Sequence, residues 1–276
     1  MKTINSAGMF FSDEEALNFQ DFIEKWIVFE CYRNPVAGCK DYDADQIYDS
    51  RKKARPKIAY LSRGKHKRSI ANEKEFVEFL ERRFEGTVRV VEFTKDTPFL
   101  EQVLAFRNAD ILVAVHGAGL LNTMFMRSES VLVELFPYLM YTRHYQTISK
   151  RFGVRHIAWH GSSLDRSVWR PGDSRSANCS KLMRSRASSI QTLWPNRTLA
   201  EIQDHMFNAA PEDIAECMRR IDTMIDLEDE RFAAMFDSAK EAFLKTERQW
   251  RRWKDPREPS REENVWWWWR KQEYNR

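Results

Sequence analysis

Two short runs, Ile111-Leu112-Val113-Ala114-Val115 and Val131-Leu132-Val133-Glu134-Leu135, constrain this chain more than any other feature. Both are nearly continuous in apolar residues, without polar alternation, as parallel strands buried on both faces are. Further β-rich runs lie at Ile58–Leu61, Val88–Phe93 and Val154–Trp159. Between the runs, amphipathic periodicity predicts helices over Asn72–Phe84, Pro98–Arg107, Gly119–Met126 and Arg143–Phe152. Strands alternating with helices in this way are βαβ repetition, so the expected fold class is α/β with a doubly wound parallel sheet.

Four zones are expected around that pattern. Residues 1–56 carry one amphipathic helix, about Asp13 to Phe29, with Leu17, Phe22, Ile23, Trp26 and Ile27 on its apolar side. A basic run then ends at Pro56, which reads as a boundary. Residues 57–160 form the sheet domain. In 161–252, the stretch Gly161–Trp194 is rich in Ser, Arg and Gly and reads as a loop, and Pro211 opens a helical stretch to about Trp250. Residues 253–276 are a charged tail with four consecutive tryptophans at 266–269.

Composition excludes several classes. At 42% hydrophobic residues the 276-residue chain has the material for a core, which rules out wholesale disorder. Lys plus Arg number 45 against 41 Asp plus Glu, and a net charge of +4 does not argue for a nucleic-acid partner. No run of 18 apolar residues is present, so no transmembrane segment is expected. The first twenty residues lack the pattern of a signal peptide. Four cysteines do not make a disulfide scaffold. Cys31 and Cys39 are spaced to close a small loop in an oxidising compartment, whereas Cys179 and Cys217 read as singletons. No C-x-x-C zinc spacing occurs.

Three places carry candidate chemistry. The first is His116-Gly117-Ala118-Gly119-Leu120-Leu121-Asn122, directly after a predicted parallel strand, where open α/β sheets bind ligands. Its glycines permit close backbone approach, and a following helix start would offer N–H donors to an anion. It is neither G-x-G-x-x-G nor a P-loop, and the absence of the former argues against a dinucleotide enzyme. The second is the loop after Leu61, where Arg63, Lys65, Lys67 and Arg68 put several cations at the same sheet edge, and guanidinium groups hold diphosphates in forked geometry. The third is Glu134, a carboxylate in a buried strand that needs partners. For each a ligand-free reading stays open: a glycine turn, a solvated basic loop, and an internal salt bridge.

The order S-R-x(4)-R-x-I-x-N-E, then A-D-I-L-V-x-V-H-G-A-G-L-x-N, then V-x-V-E-L-F-P resembles glycosyltransferase family 61 over about residues 57–160. The resemblance implies the Rossmann-like second domain of a two-domain, B-type glycosyltransferase. It implies transfer of a sugar, N-acetylglucosamine foremost and xylose as the lesser alternative, from a UDP-sugar to Ser or Thr of a protein acceptor, with EGF-like domains among the candidate acceptors. Transfer would be inverting and independent of metal, with no cofactor beyond the donor. By position, Arg63 and Arg68 would neutralise the diphosphate. His116 and the backbone of Gly117, Ala118 and Gly119 would sit beneath it, Asn122 would fix the turn, and Glu134 would hold the ribose. No catalytic base is assigned. Residence in the endoplasmic reticulum or Golgi lumen would follow. Since only 56 residues precede the matched region, the alternative is a non-catalytic nucleotide-sugar-binding fragment or truncated member.

Other signals are weaker. Asp41-Tyr42-Asp43-Ala44-Asp45 contains a D-x-D pattern with no strand before it, and reads as a solvated loop. The sequons Asn178-Cys179-Ser180 and Asn196-Arg197-Thr198 favour a secretory compartment. His144, His156, His160 and His205 show no ligand-like spacing and are expected to be structural.

Overall fold

The computed structural model describes residues 13–42, 56–64, 68–86, 88–138, 140, 142–160, 166–169, 176–193, 217 and 221–250. Lys65, Lys67, Asp43, Asp45, His205, the second sequon and the tryptophan run lie outside them. Residues 1–243 form one compact unit and 244–276 a second. All that follows concerns the first.

Its centre is a five-stranded, wholly parallel sheet: β1 (Ile58–Ser62), β2 (Val88–Glu92), β3 (Ile111–Val115), β4 (Val131–Leu135) and β5 (Arg155–Trp159), in the order β2-β1-β3-β4-β5. Registers run Ile58↔Ile111 between β1 and β3, and Ile111↔Val131 between β3 and β4. Every residue of β1, β3 and β4 is buried, as the apolar runs require, whereas the edge strand β2 exposes most of its positions. The expected α/β sheet is therefore observed, with strand ends shifted by at most one residue.

Two faces result from the strand alternation. One receives Ala59, Leu61, Leu112, Ala114 and Leu132, and packs against α3 (Phe99–Arg107), a 3-10 helix (Ala118–Phe125), α4 (His144–Arg151) and α1 (Asp13–Arg33). The other carries Tyr60, which meets Phe76 of α2 (Glu73–Phe84) edge-on at 5.2 Å. Phe232 and Phe236 of α6 (Glu230–Trp250) complete that cluster, with Trp159 at 5.0 Å from Phe232. Fully burying a side chain of this size contributes about 1.5–3 kcal/mol.

Helix α1 runs four residues further than expected and is part of the core. Ala16, Ile23 and Ile27 are buried in it, although Phe22, expected on the apolar side, is 59% exposed. A buried polar knot fixes the helix in place. Gln20 donates from Nε2 to the carbonyls of Met124 and Met126, and Arg107 donates to Gln20 and Glu24. Arg107 is 3% exposed, so removing Glu24 would leave a buried charge without its counter-ion.

Several expectations are corrected. The helix after β3 is 3-10 rather than α: Leu120 N–H donates to Gly117 O and Met126 N–H to Thr123 O. Its period of three places Leu120, Thr123 and Met126 in one buried row, which an α-helix would splay apart. The stretch read as a loop contains α5 (Ser176–Leu193), whose Cys179 and Met183, one turn apart, are both buried. Serine and arginine tolerate helix well enough once such anchors exist. The supposed single helix from Pro211 is interrupted by β7 (Ile221–Thr223), which pairs antiparallel with β6 (Ser167–Trp169). Three-residue strands are too short to show a period. Cys179 and Cys217 are not singletons but bonded to each other, and the Cys31–Cys39 loop closes as its spacing allows.

The separations of 38 and 8 residues set how much each bridge restricts the unfolded chain. On the loop-entropy scale, Cys179→Ala with Cys217→Ala should cost about 4 kcal/mol of stability, and Cys31→Ala with Cys39→Ala about 2.5 kcal/mol. Urea denaturation of the two double variants checks the order. A larger loss for the Cys31 pair would contradict it.

Candidate functional site

The chain leaves β1 to build β2 on one side, then crosses back to build β3 on the other, so β1 and β3 are adjacent while their connections diverge. Open sheets bind ligands in the crevice this creates beyond the carboxyl ends of the strands. Both motif loops start there: Arg63 and Gly64 after β1, His116 and Gly117 after β3.

The loop after β1 is held by its own motif residues. Glu73, the first residue of α2, accepts from Tyr60 Oη at 2.8 Å and Ser62 Oγ at 2.7 Å. Burial first, and then the charge of Glu73, push the Tyr60 phenol far upward, so it remains a donor. Ser62 Oγ also accepts from Gly64 N–H at 2.9 Å. Gly64 has φ +51°, the left-handed region that glycine adopts without strain, and the Glu92 carboxylate lies in the space a Cβ would take.

Arg63 reaches across to β3 and donates from Nη1 to the carbonyl oxygen of His116 at 2.9 Å. A Cβ on Gly117 would lie 1.6 Å from that same Nη1. The backbone of Gly117 is extended, at φ 171°, and any residue could adopt it. Glycine serves here as space, into which the guanidinium lies. Gly119 differs, because its missing Cβ faces the Leu61 side chain at 3.2 Å. Ala118 and Gly119 are exposed at the mouth of the turn. Arg68 has a left-handed backbone at φ 65°, and its Nη1 lies 3.4 Å from Met140 Sδ. Its charge, like that of Arg63, acts on His116 and on Tyr145 of α4.

Glu134 is fully buried, and both its oxygens are engaged. His116 Nδ1 lies 2.5 Å from Oε1, and His156 Nε2 lies 2.6 Å from Oε2. Of the two uses open from sequence, the internal pairing is observed, because a carboxylate at 0% exposure must find its donors within the protein. Burial would raise the Glu134 carboxyl, but the hydrogen bonds donated by His116 and His156 outweigh it and hold it below the ordinary 4.5. His116 is held below its ordinary 6.5, chiefly by burial, with Arg68 and Arg63 in the same sense and Glu134 opposing. The pair is thus a neutral imidazole donating Nδ1–H to an anion. That tautomer leaves Nε2 as an acceptor, and among the described residues it makes no hydrogen bond.

The structure brings together Arg63, Arg68, His116, Gly117 and Glu134. Asn122 stands apart, with its Nδ2 3.5 Å from Gln102 Oε1, tying the 3-10 helix to α3. His156 is the residue sequence reasoning left aside. The parallel register Leu132↔His156, two residues before Glu134, is what turns it toward the carboxylate. Rings stack around the group: Phe136 lies between His116 at 5.2 Å and His160 at 4.8 Å. Among the described residues no group of three acidic, His or Cys side chains could hold a metal.

A histidine whose folded pKa is lowered stabilises the fold above its unfolded value near 6.5, and that stability is lost as pH falls below it. Glu134, also lowered, adds a loss of the same sign beginning near 4.5. The melting temperature should therefore decline from pH 7 to pH 5, and His116→Asn should flatten that decline, since its amide can donate to Glu134 without titrating. Equal slopes in the parent and His116→Asn would rule out His116 as the source.

Residues 19–133 match the family Glycosyltransferase 61. The match begins within α1, earlier than the motifs, consistent with that helix being part of the core. The EGF domain-specific O-linked N-acetylglucosamine transferase of Drosophila melanogaster is 32% identical over 108 residues, 39% of this chain and 20% of that protein. Protein O-linked-mannose beta-1,4-N-acetylglucosaminyltransferase 2 is 30% identical over 137 residues in Xenopus tropicalis, 48% of this chain and 22% of that protein. The Homo sapiens form is 32% identical over 109 residues, 38% and 19%. The chain thus spans about a fifth of the length of these curated relatives. The sequence resemblance to glycosyltransferase family 61 is borne out, and its footprint in this chain is residues 19–133.

Proposed function

We propose that the crevice beyond β1 and β3 binds the diphosphate of a UDP-sugar, as the donor site of a glycosyltransferase of B-type architecture. The observation that carries this reading is Arg63 laid across the His116-Gly117 turn at the switch point of the sheet, with Arg68 of the same loop against Met140 beyond the end of β4. Two guanidinium groups and the peptide N–H groups of an exposed turn would stabilise the departing diphosphate, in the electrostatic role that a metal fills elsewhere. The donor would be UDP-N-acetylglucosamine, with UDP-xylose the lesser alternative, and the acceptor Ser or Thr of a protein, with inversion at the anomeric carbon. His116 Nε2, neutral and held from behind by Glu134, could accept a proton or hydrogen bond from a hydroxyl at this edge. The relatives' names point to N-acetylglucosamine and to O-linked protein acceptors. Two disulfides, with no free cysteine among the described residues, fit an oxidising compartment such as the endoplasmic reticulum or Golgi lumen.

In a second reading this chain binds the nucleotide sugar without transferring it. Titration calorimetry with UDP, UDP-N-acetylglucosamine and UDP-xylose in excess chelator tests the shared core of both. UDP should bind without divalent metal, and binding that vanishes in chelator and returns with manganese would overturn the metal-free site. Radiolabelled transfer to a Ser/Thr acceptor then separates transferase from binding module.

Two variants test the assignment of parts. Arg68→Ala should weaken UDP by about 1.5–3 kcal/mol, as for a lost charge-assisted hydrogen bond, with uridine hardly affected. Gly117→Ala should keep its melting temperature, since the backbone is unstrained, yet weaken UDP by displacing Arg63. Unchanged UDP affinity in a folded Gly117→Ala protein would remove Arg63 from the site.

A further inference from the structure

The arginine loop does not end in solvent after Arg68. Its next four residues are fastened to the segment around β7, some 150 positions along the chain. Ser69 N–H donates to Asp222 Oδ1 at 3.0 Å, Thr223 N–H to Ser69 O at 2.9 Å, and Ala71 N–H to Thr223 O at 2.8 Å. Ile70 bridges Thr223 in parallel sense. Asn72 closes the series from both ends of its amide: Nδ2 donates to Ile225 O at 2.9 Å and Oδ1 accepts Ile225 N–H at 2.9 Å. Ser69, Ile70, Thr223 and Ile225 are all buried. From behind, β7 pairs with β6, and Cys217, four residues upstream, is bonded to Cys179 of α5.

We infer that Asp222–Ile225 are positioning residues, a brace that holds Arg68 toward the diphosphate of the bound nucleotide; this rests on the donor site proposed above. Arg68 has φ 65°, a conformation that a non-glycine side chain keeps only where its surroundings fix it. Toward the carboxyl end the bonds to Asp222, Thr223 and Ile225 are what fix the peptide after Arg68. The sequence motif through Ile70, Asn72 and Glu73 is then explained by attachment: Glu73 anchors β1, whereas Asn72 and the Ser69–Ala71 backbone anchor β7. The family match closes at residue 133, so the proposed site is completed by a segment outside it.

The test uses the full chain with Asp222→Ala and Asp222→Asn. Asparagine keeps an Oδ1 acceptor for Ser69 N–H and alanine does not. By calorimetry, Asp222→Ala should weaken UDP about tenfold and leave uridine unchanged, while Asp222→Asn should stay within about threefold of the parent. Equal losses for UDP and uridine, or no loss in Asp222→Ala, would overturn the brace. A second measurement needs no ligand: in hydrogen exchange, Ser69 and Ala71 should be protected in the parent and lose protection in Asp222→Ala while α2 keeps its own. Unchanged protection overturns the brace whatever UDP does. Failure of the parent to bind UDP, with protection lost in Asp222→Ala, would instead refute the donor site and, with it, the diphosphate as what Arg68 is braced toward.

Discussion

A parallel sheet whose central strands show no side chain to water can exist only if helices cover both of its faces. Every position of β1, β3 and β4 is buried, and the rest of the architecture follows from meeting that demand. Helices α1, α3 and α4 with the 3-10 helix close one face, and α2 with α6 closes the other. Covering two faces from one chain forces the path to reverse beside β1, and the reversal opens the crevice that receives both motif loops. The site is therefore a consequence of how the core is closed.

The same burial explains the polar group at the heart of the site. Glu134 sits in a strand where water cannot reach it, so its charge is tolerable only with donors on both oxygens. His116 and His156 supply them, and this fixes the imidazole of His116 in one tautomer at the floor of the crevice. Arg63, lying in the space that Gly117 leaves, donates to the carbonyl oxygen of the same residue. A buried carboxylate thus holds the ring of His116, and a guanidinium holds its backbone carbonyl. Such an arrangement fixes the turn through the protein's own hydrogen bonds, and pre-organisation of this kind is what the proposed donor site would draw on.

Much of this was legible in the residues. The strands were, because ILVAV and VLVEL need no partner to declare their burial. The helices from Glu73 to Phe84 and Phe99 to Arg107 were also legible, each bounded as its periodicity indicates. The positions of Arg63, Arg68, His116 and Gly117 at one sheet edge followed from strand ends alone, once β1 and β3 were taken as parallel neighbours. These are local patterns, and local patterns survive in a single sequence because the period of apolar residues records which side faces the core.

What tertiary structure decided is whatever depends on a partner far along the chain. The pairing of Glu134 is one such case, since the β4–β5 register is what turns His156 toward its second oxygen. Cys179 looked solitary because Cys217 lies 38 residues away with no spacing rule to join them. Strand β7 and its bonds to Ser69, Ala71 and Asn72 were invisible, since three residues carry no period and their partners lie about 150 positions earlier. The sequence by itself determined the sheet and the edge where its chemistry gathers, because side-chain burial is written in short-range periodicity. Only the folded chain decided which polar groups pair there, because hydrogen bonds between distant segments are chosen by register and crossing, which no local pattern encodes.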